Sequence, residues 1–362
     1  MAAHAKFGPS AMKRIIACPG SVLLCEQAPP APPSPYAEEG TRAHALAEAL
    51  LLQEETLPEH DEETRAAVQV YVDYCDPLID EATKYGIEAT LHHSEDLFGT
   101  ADCYALVKRT LYVVDYKHGQ GVTVSAARNP QGLTYAGLVF ADSKTGITPD
   151  MVDNIVITIV QPRGQGEPVD EYISSPEEVA GHMAKVELAM QEAMSIKPRI
   201  QMGDHCRFCR AKLICPALKK AEQGVAEWDS RDLDEDELSE MLVMAKVIEQ
   251  KIKDLYAYAL VRLEQGEELP GWKLVPKRAT RKWVDEEKVF RWAKKYGRIK
   301  EMYKRQLLSP AQAAKVLGDE YESLTHLVES VSTGTNMAPE DDPREAVKSP
   351  FAKLAALGKR AI

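Results

Sequence analysis

The sequence predicts a mixed α/β protein, in which a central mixed β-sheet is flanked by helices and followed by a mainly helical C-terminal domain. Three observations carry this expectation. Apolar residues at helical spacing occupy residues 38–85; four short strand-like runs cluster between 87 and 160; and beyond residue 223 the strand patterns give way to long, highly charged helical ones.

Each element has a local reason. "PPAPPSP", residues 29–35, is a stiff extended connector that cannot start a helix interior. Residues 38–55 and 61–85 follow as helices, the second with Val68, Tyr71, Tyr74 and Leu78 near helical spacing. Strands are expected at 87–94, 100–107 and 110–116, a helix over 129–141, the buried strand "NIVITIV" at 154–160, and an amphipathic helix over 176–194. A second region opens on the acidic run 229–240, continues in a long helix over 235–265, and reverses charge over 273–305, where thirteen Lys or Arg face four Asp or Glu. The expected division is 1–222 and 223–330, with 331–362 as a flexible tail.

At 362 residues, with 44% apolar and 28% charged content, the chain is long enough for two cores. Arg14, Glu26 and several prolines interrupt the N-terminal apolar clusters, and no apolar run reaches membrane-spanning length. A cytoplasmic protein without membrane association is therefore expected. In that compartment the seven cysteines are expected as ligands or core residues rather than disulfides. The net charge of −12 argues against general adhesion to nucleic acid, while leaving room for a local basic groove.

The chemistry concentrates around "LYVVDYKHGQG", residues 111–121. Alternation in a strand puts Asp115 and Lys117 on one face and Tyr116 on the other. Upstream, "EEGTRAHALAE" sets His44 one helical turn after Gly40 and one before Glu48. "FGTADCYALV" places Asp102 in an otherwise apolar strand, where an unpaired carboxylate is costly. "NPQGLTYAGL" puts Gln131 and Tyr135 four apart on one helix face.

Together, G-x-x-x-H, G-x-x-D, D-x-K and Q-x-x-x-Y in this order resemble the PD-(D/E)xK nuclease superfamily, in particular its RecB-type branch. The resemblance covers about residues 36–140 and implies a restriction-endonuclease-like core. It implies that His44, Asp102 and Asp115 bind catalytic metal, that Lys117 assists the attack, and that Gln131 and Tyr135 complete the site. The residues make sense of it independently. Two carboxylates and an imidazole suit Mg²⁺ or Mn²⁺, which supply the activated water and counter-charge that phosphodiester hydrolysis needs.

"DHCRFCRAKLICPA" spaces Cys206, Cys209 and Cys215 as C-x2-C-x5-C, and "IIACPGS" supplies Cys18. One cysteine before such a domain and three behind it resembles the iron-sulfur nucleases of bacterial recombination complexes and CRISPR adaptation, which implies a [4Fe-4S] cluster on Cys18, Cys206, Cys209 and Cys215. Structural Zn²⁺, with His205 or Cys25 as substitute ligand, is the alternative. Either metal staples the N-terminus to the end of the first domain. Cys75 and Cys103 read as core residues.

"GWKLVPKRATRKW" sets Lys273, Lys277, Arg278, Arg281 and Lys282 between Trp272 and Trp283. These cations can track phosphates while the indoles stack on bases; equally, they can form a solvated face with the indoles in a small core. Arg163, after the 154–160 strand, is a further candidate for a phosphate near the site.

The whole chain also resembles a phage- and prophage-associated family of unknown function, which implies a recombination or replication setting. The expected activity is that of a metal-dependent deoxyribonuclease, an exonuclease by analogy, acting on single strands or duplex ends. No G-x-x-x-x-G-K-[ST] motif is present, so a helicase partner would supply any unwinding, and a recombinase or single-strand-binding protein are further partner candidates. The alternatives are a non-catalytic DNA-binding or scaffold protein on a nuclease fold, and a zinc-stapled interaction module.

Overall fold

The computed structural model describes residues 5–29, 35–54, 60–120, 122–164, 166–225, 234–277, 280–302, 307–331, 334–339 and 345–347. The chain forms two compact units, Met1–Ile252 and Lys253–Ile362.

The first unit begins with two short helices, α1 (Met12–Ala17) and α2 (Ser21–Gln27), which were not expected from the sequence. Then come α3 (Pro35–Leu51), α4 (Glu62–Glu81), β1 (Lys84–His92), β2 (Phe98–Val107), β3 (Thr110–Tyr116), α5 (Pro130–Ala141), β4 (Asn154–Val160), β5 (Val169–Ser174) and α6 (Pro176–Ala193). Caps mark the starts that the pattern suggested. Asp61 accepts from the Thr64 amide to open α4, Asn129 accepts from the Gln131 and Gly132 amides to open α5, and Ser175 accepts from the Glu178 amide to open α6.

The five strands form one mixed sheet in the order β1-β2-β3-β4-β5. The β3–β4 pair is parallel, with α5 as its crossover, and the other pairs are antiparallel. Alternation along β3 and β4 divides the core. Leu111, Val113, Ile155 and Ile157 pack under Ile15, Leu133, Leu138, Val179 and Val186 from α1, α5 and α6. Val114, Tyr116 and Val160 face the other way, against Ala43, Leu46, Val68, Tyr71 and Val72 from α3 and α4. The same period sends Asp115 to the α5 side. Cys75 and Cys103 lie in this second core layer, fully buried, as expected.

The N-terminus is held to residues 198–201 by close backbone packing. The Gly20 amide donates to the Arg199 carbonyl, and a Cβ at Gly20 would lie 2.6 Å from Ile200 Cγ1 and 3.0 Å from the Arg199 carbonyl oxygen. Only glycine fits that approach.

Helices α7 (Pro216–Val225) and α8 (Glu235–Glu264) follow. The unit boundary falls inside α8 rather than at 222/223, because Met244, Val247 and Ile248 of its first half pack on Cys206 and Leu218. The expected acidic opening of this region at 229–233 lies outside the described residues.

The second unit contains β6 (Trp272–Pro276), β7 (Thr280–Trp283), α9 (Glu286–Lys295), α10 (Ile299–Met302), α11 (Pro310–Leu317), β8 (Val328–Val331) and β9 (Thr335–Pro339). Its core gathers Val289, Ala293, Met302, Ala313, Leu317 and Leu324. Within the segment expected as a flexible tail, Thr335–Pro339 form β9, paired with β6 from Trp272↔Pro339 to Pro276↔Thr335, while residues 340–344 and 348–362 lie outside the described residues. Backbone pairing with a distant strand overrides its polar composition. Among the described residues no helix is long and apolar enough to cross a membrane.

Candidate active site

The site lies where β1, β2 and β3 meet in one row. Ile87 pairs with Cys103 and Ala89 with Ala101, which sets Glu88 across from Asp102; Cys103 pairs with Val114, which sets Asp115 across from Asp102 on the other side. Neither of these acid pairs belongs to the ladder. Instead the Tyr116 amide donates to Asp102 Oδ2 at 2.7 Å, and Glu88 takes a left-handed backbone conformation at φ 42°. A non-glycine residue there is uncommon.

His44 reaches this row from α3. Its Nδ1 lies 3.3 Å from Glu88 Oε1 and 3.6 Å from Asp102 Oδ1. Tyr116 packs edge-on against its ring. The ligand atoms of His44, Glu88 and Asp102 all lie within 4.8 Å of one another. No sequence motif includes Glu88, a single acid in the strand "KYGIEATLH".

Asp115 is buried and engaged on both oxygens. Lys117 Nζ sits 2.8 Å from its Oδ2, and Gln131 Nε2 donates to its Oδ1 at 2.7 Å. Lys117 also donates to Gln131 Oε1 at 3.1 Å, so Asp115, Lys117 and Gln131 close a ring of polar contacts. The Asn129 cap and Pro130 aim the first turn of α5, and with it Gln131, at the end of β3. Tyr135 lies one turn further along α5, close enough to Asp102 and Asp115 for their charges to act on it. The structure thus brings together all six residues expected at the catalytic centre and adds Glu88.

The electrostatics are those of carboxylates crowded out of water. Burial and the Asp115 charge push the Asp102 carboxyl up to about 7, with His44 partly offsetting them. Burial would lower the His44 pKa, but its hydrogen bond to Glu88 and the charges of Asp102, Glu88 and Asp115 outweigh that and raise it. Lys117 is likewise raised: burial opposes its charge, and Asp115 and Asp102 overcome the opposition. Tyr135 is raised by burial and the nearby acids, and Glu48 by burial and the Glu88 charge. The donor set of one imidazole nitrogen and several carboxylate oxygens, short of positive charge, suits a hard divalent ion.

Two glycines of the motifs have distinct surroundings. At Gly99 a Cβ would come within 2.7 Å of Pro9 and 3.3 Å of Tyr135, so the glycine permits close packing. At Gly40 a Cβ would meet nothing within 4 Å. Packing gives no reason for a helix-weakening residue one turn before His44.

Arg163, expected near a phosphate, is committed elsewhere. It donates to Glu39 at 2.7 Å, contacts Glu63 at 3.1 Å and donates to His118 Nε2 at 2.5 Å, tying α3 and α4 to the ends of β3 and β4. Its partners lie far off in sequence, which is why the local pattern suggested a free cation.

The cysteines gather as expected between the N-terminal helices and residues 201–215. The Gln201 amide donates to Cys18 Sγ at 3.3 Å, and Cys206 is raised by burial and by the neighbouring Cys215 and Cys18. Cys25 joins them, its sulfur 3.8 Å from Cys209 Sγ, and the hydrogen bond from Cys209 lowers it to about 6. The described residues contain no three of these sulfurs within 4.8 Å of one another. A tetrahedral zinc thiolate, with Zn–S near 2.3 Å, needs edges of about 3.8 Å throughout. The thiols are thus collected in one place but spread wider than a single zinc ion requires. His205 is turned to the Gln201 carbonyl at 3.0 Å.

In the second unit, Trp283 belongs to the core and donates from Nε1 to the Leu308 carbonyl at 2.8 Å, so it anchors the fold rather than offering a face to a base. Trp272 packs edge-on against Tyr256. Lys282 is exposed on β7 opposite Glu329, and Lys277 is exposed beside Gly334. Arg281 pairs with Ser330 through its backbone; its side chain and all of Arg278 lie outside the described residues.

Fold and site together define a mixed α/β protein with an acid, imidazole and lysine cluster at the edge of its sheet. The chain belongs to the family described as "Protein of unknown function (DUF2800)", which matches residues 4–345. One solved structure similar to it, "Crystal structure of SSO0001", is 13% identical, covers 57% of this chain and 85% of that chain, and superposes with a TM-score of 0.28, too low to bear on function.

Proposed function

We propose that the chain is a metal-dependent deoxyribonuclease of the PD-(D/E)xK, RecB-type kind that hydrolyses DNA phosphodiester bonds. The observation that supports it most is the row of Glu88, Asp102 and Asp115 across three strands, closed by His44 on one side and Lys117 on the other. His44, Glu88, Asp102 and Asp115 would hold Mg²⁺ or Mn²⁺. Such an ion supplies Lewis-acid polarisation of the phosphate and a more acidic water.

The remaining groups divide the work. Lys117 stays an ammonium, because Asp115 and Asp102 raise its pKa, so it acts as a donor that orients water and offsets charge developing on the phosphoryl oxygens, not as a base. Gln131 fixes both Asp115 and Lys117. Tyr135 keeps its proton and can donate. Gly40 leaves open space on the His44 face of α3, which a substrate backbone can enter. The cysteine group, on this reading, holds a [4Fe-4S] cluster whose role is to fasten the N-terminus, with Zn²⁺ as the alternative.

Exonuclease action in phage recombination or replication, beside a helicase, recombinase or single-strand-binding protein, extends this by analogy. The test is digestion of end-labelled single- and double-stranded DNA with Mn²⁺ or Mg²⁺, with a chelator control and Lys117→Ala. Metal-dependent degradation by the parent and its loss in the variant is the expected result. Equal degradation by both proteins removes the mechanism and leaves a DNA-binding scaffold.

A further inference from the structure

The first unit carries a cleft of about 860 Å³ that starts beside the acid cluster. Tyr135, Gly99 and Thr100 line it together with Pro9, Arg14 and Arg210. A hollow of about 240 Å³ shares Ser10, Ala11, Arg14 and Arg210 with it and extends to Lys13, His205 and Phe208.

The lining is cationic in a chain whose net charge is −12. Lys6, Lys13, Arg14 and Arg210 line the two hollows against one acid, Glu26, which pairs with Lys6 at 3.3 Å. Arg14 donates to Ser21 at 2.6 Å through Nη1, its one side-chain hydrogen bond among the described residues. Lys13 and Arg210 have no side-chain hydrogen bond or ion pair among the described residues. Phe208 is 70% exposed, with the Arg207 guanidinium 5.4 Å from its ring centre. Two cations without a partner among the described residues, two more with one, and an exposed aromatic ring beside them are what a single nucleic-acid strand needs: charge for phosphates and a flat face for a base. The cleft lies within the range of roughly 300–1,000 Å³ that takes a few linked small groups.

We propose that this cleft is the track of single-stranded DNA, with Lys13, Arg14 and Arg210 on phosphates, Phe208 under a base, and Tyr135 where the strand meets the acid cluster. The choice of DNA rests on the nuclease reading; the track itself does not. The cysteine segment is then a wall of the binding site as well as a staple. This differs from the sequence expectation, which looked for the strand at Lys277 to Lys282.

Fluorescence anisotropy of a labelled oligo-dT strand, with the full chain and chelator present, tests the track without cleavage. Lys13→Glu/Arg210→Glu is compared with Lys144→Glu/Lys185→Glu, which carries the same charge change outside the cleft. With a single-strand slope of about −0.7 per phosphate, each lost contact weakens binding about 5-fold at 0.1 M salt, or about 25-fold for the pair. Phe208→Ala is expected to weaken binding about 5-fold or more without reducing the salt slope. Unchanged binding in the cleft variant, equal loss in the control, no binding by the parent, or tighter binding to blunt duplex than to the strand each overturns the track. Any of these leaves metal-dependent cleavage, measured separately, free to stand or fall.

Discussion

Replacing Asp102 by Asn relieves the charge crowding in a metal-free site, and the size of the effect follows from its surroundings. The Asp102 carboxyl rises from an ordinary 3.8 to about 7, chiefly through burial and the Asp115 charge. At about 1.36 kcal/mol per pKa unit this amounts to on the order of 4 kcal/mol. Because the folded-state pKa is raised, the corresponding stability is fully present below about pH 4 and is lost as the pH rises through about 7. Metal-free parent protein should therefore lose stability between pH 5 and pH 8 relative to Asp102→Asn, whose amide can still accept from the Tyr116 amide. For a unit of this size the gap in Tm is expected to grow by roughly 10 °C across that window. Thermal denaturation followed by circular dichroism in chelator at four pH values measures it. Added Mn²⁺ at about 100 times its Kd should stabilise the parent by about 2.7 kcal/mol and leave the variant unchanged. A variant whose Tm deficit relative to the parent widens with pH in chelator would refute the reasoning.

Four further outcomes are expected. Lys117→Ala should lower cleavage by about 10²–10³-fold with single-strand affinity unchanged, and a matching loss of affinity would mean the lysine serves binding instead. Gly40→Ala should stabilise α3 by about 0.5–1 kcal/mol and slow cleavage by filling the open face beside His44; full activity in the stabilised protein would show that nothing enters there. Arg163→Ala should lower the Tm by removing the ion pairs that tie α3 and α4 together, while His118 and Gln120 still contact Glu39 and Glu63, and should keep strand binding in chelator; lost strand binding would mean the guanidinium serves the substrate. Anaerobically purified protein should show the visible absorption of an iron-sulfur chromophore, diminished in Cys206→Ser; colourless protein with stoichiometric zinc would give the site to zinc.

Much of this protein was readable from local pattern. Strands at 110–116 and 154–160 stand out because both of their faces are buried, and the starts of α4, α5 and α6 are marked by residues that cap them. His44, Asp102, Asp115, Lys117, Gln131 and Tyr135 could be named because their short motifs, taken in order, resemble those of a nuclease family; strand and helix periodicity added only which of them share a face. β5 escaped because, as an edge strand, it keeps Asp170 and Glu171 exposed and lacks an apolar signature. β6 to β9 escaped because their pairing depends on partners 45 to 67 residues away.

What tertiary structure alone decided is which distant groups share a neighbourhood. Glu88 became a site residue through strand register, a property of two strands and not of either one. Arg163 became a clamp because Glu39 and Glu63 arrive from two other helices, and Cys25 entered the thiol group because α2 folds back on the segment that follows α6. Short-range periodicity records which way a side chain points, whereas the partner it meets is set by packing across the chain, where the free energy depends on positions that no local window contains.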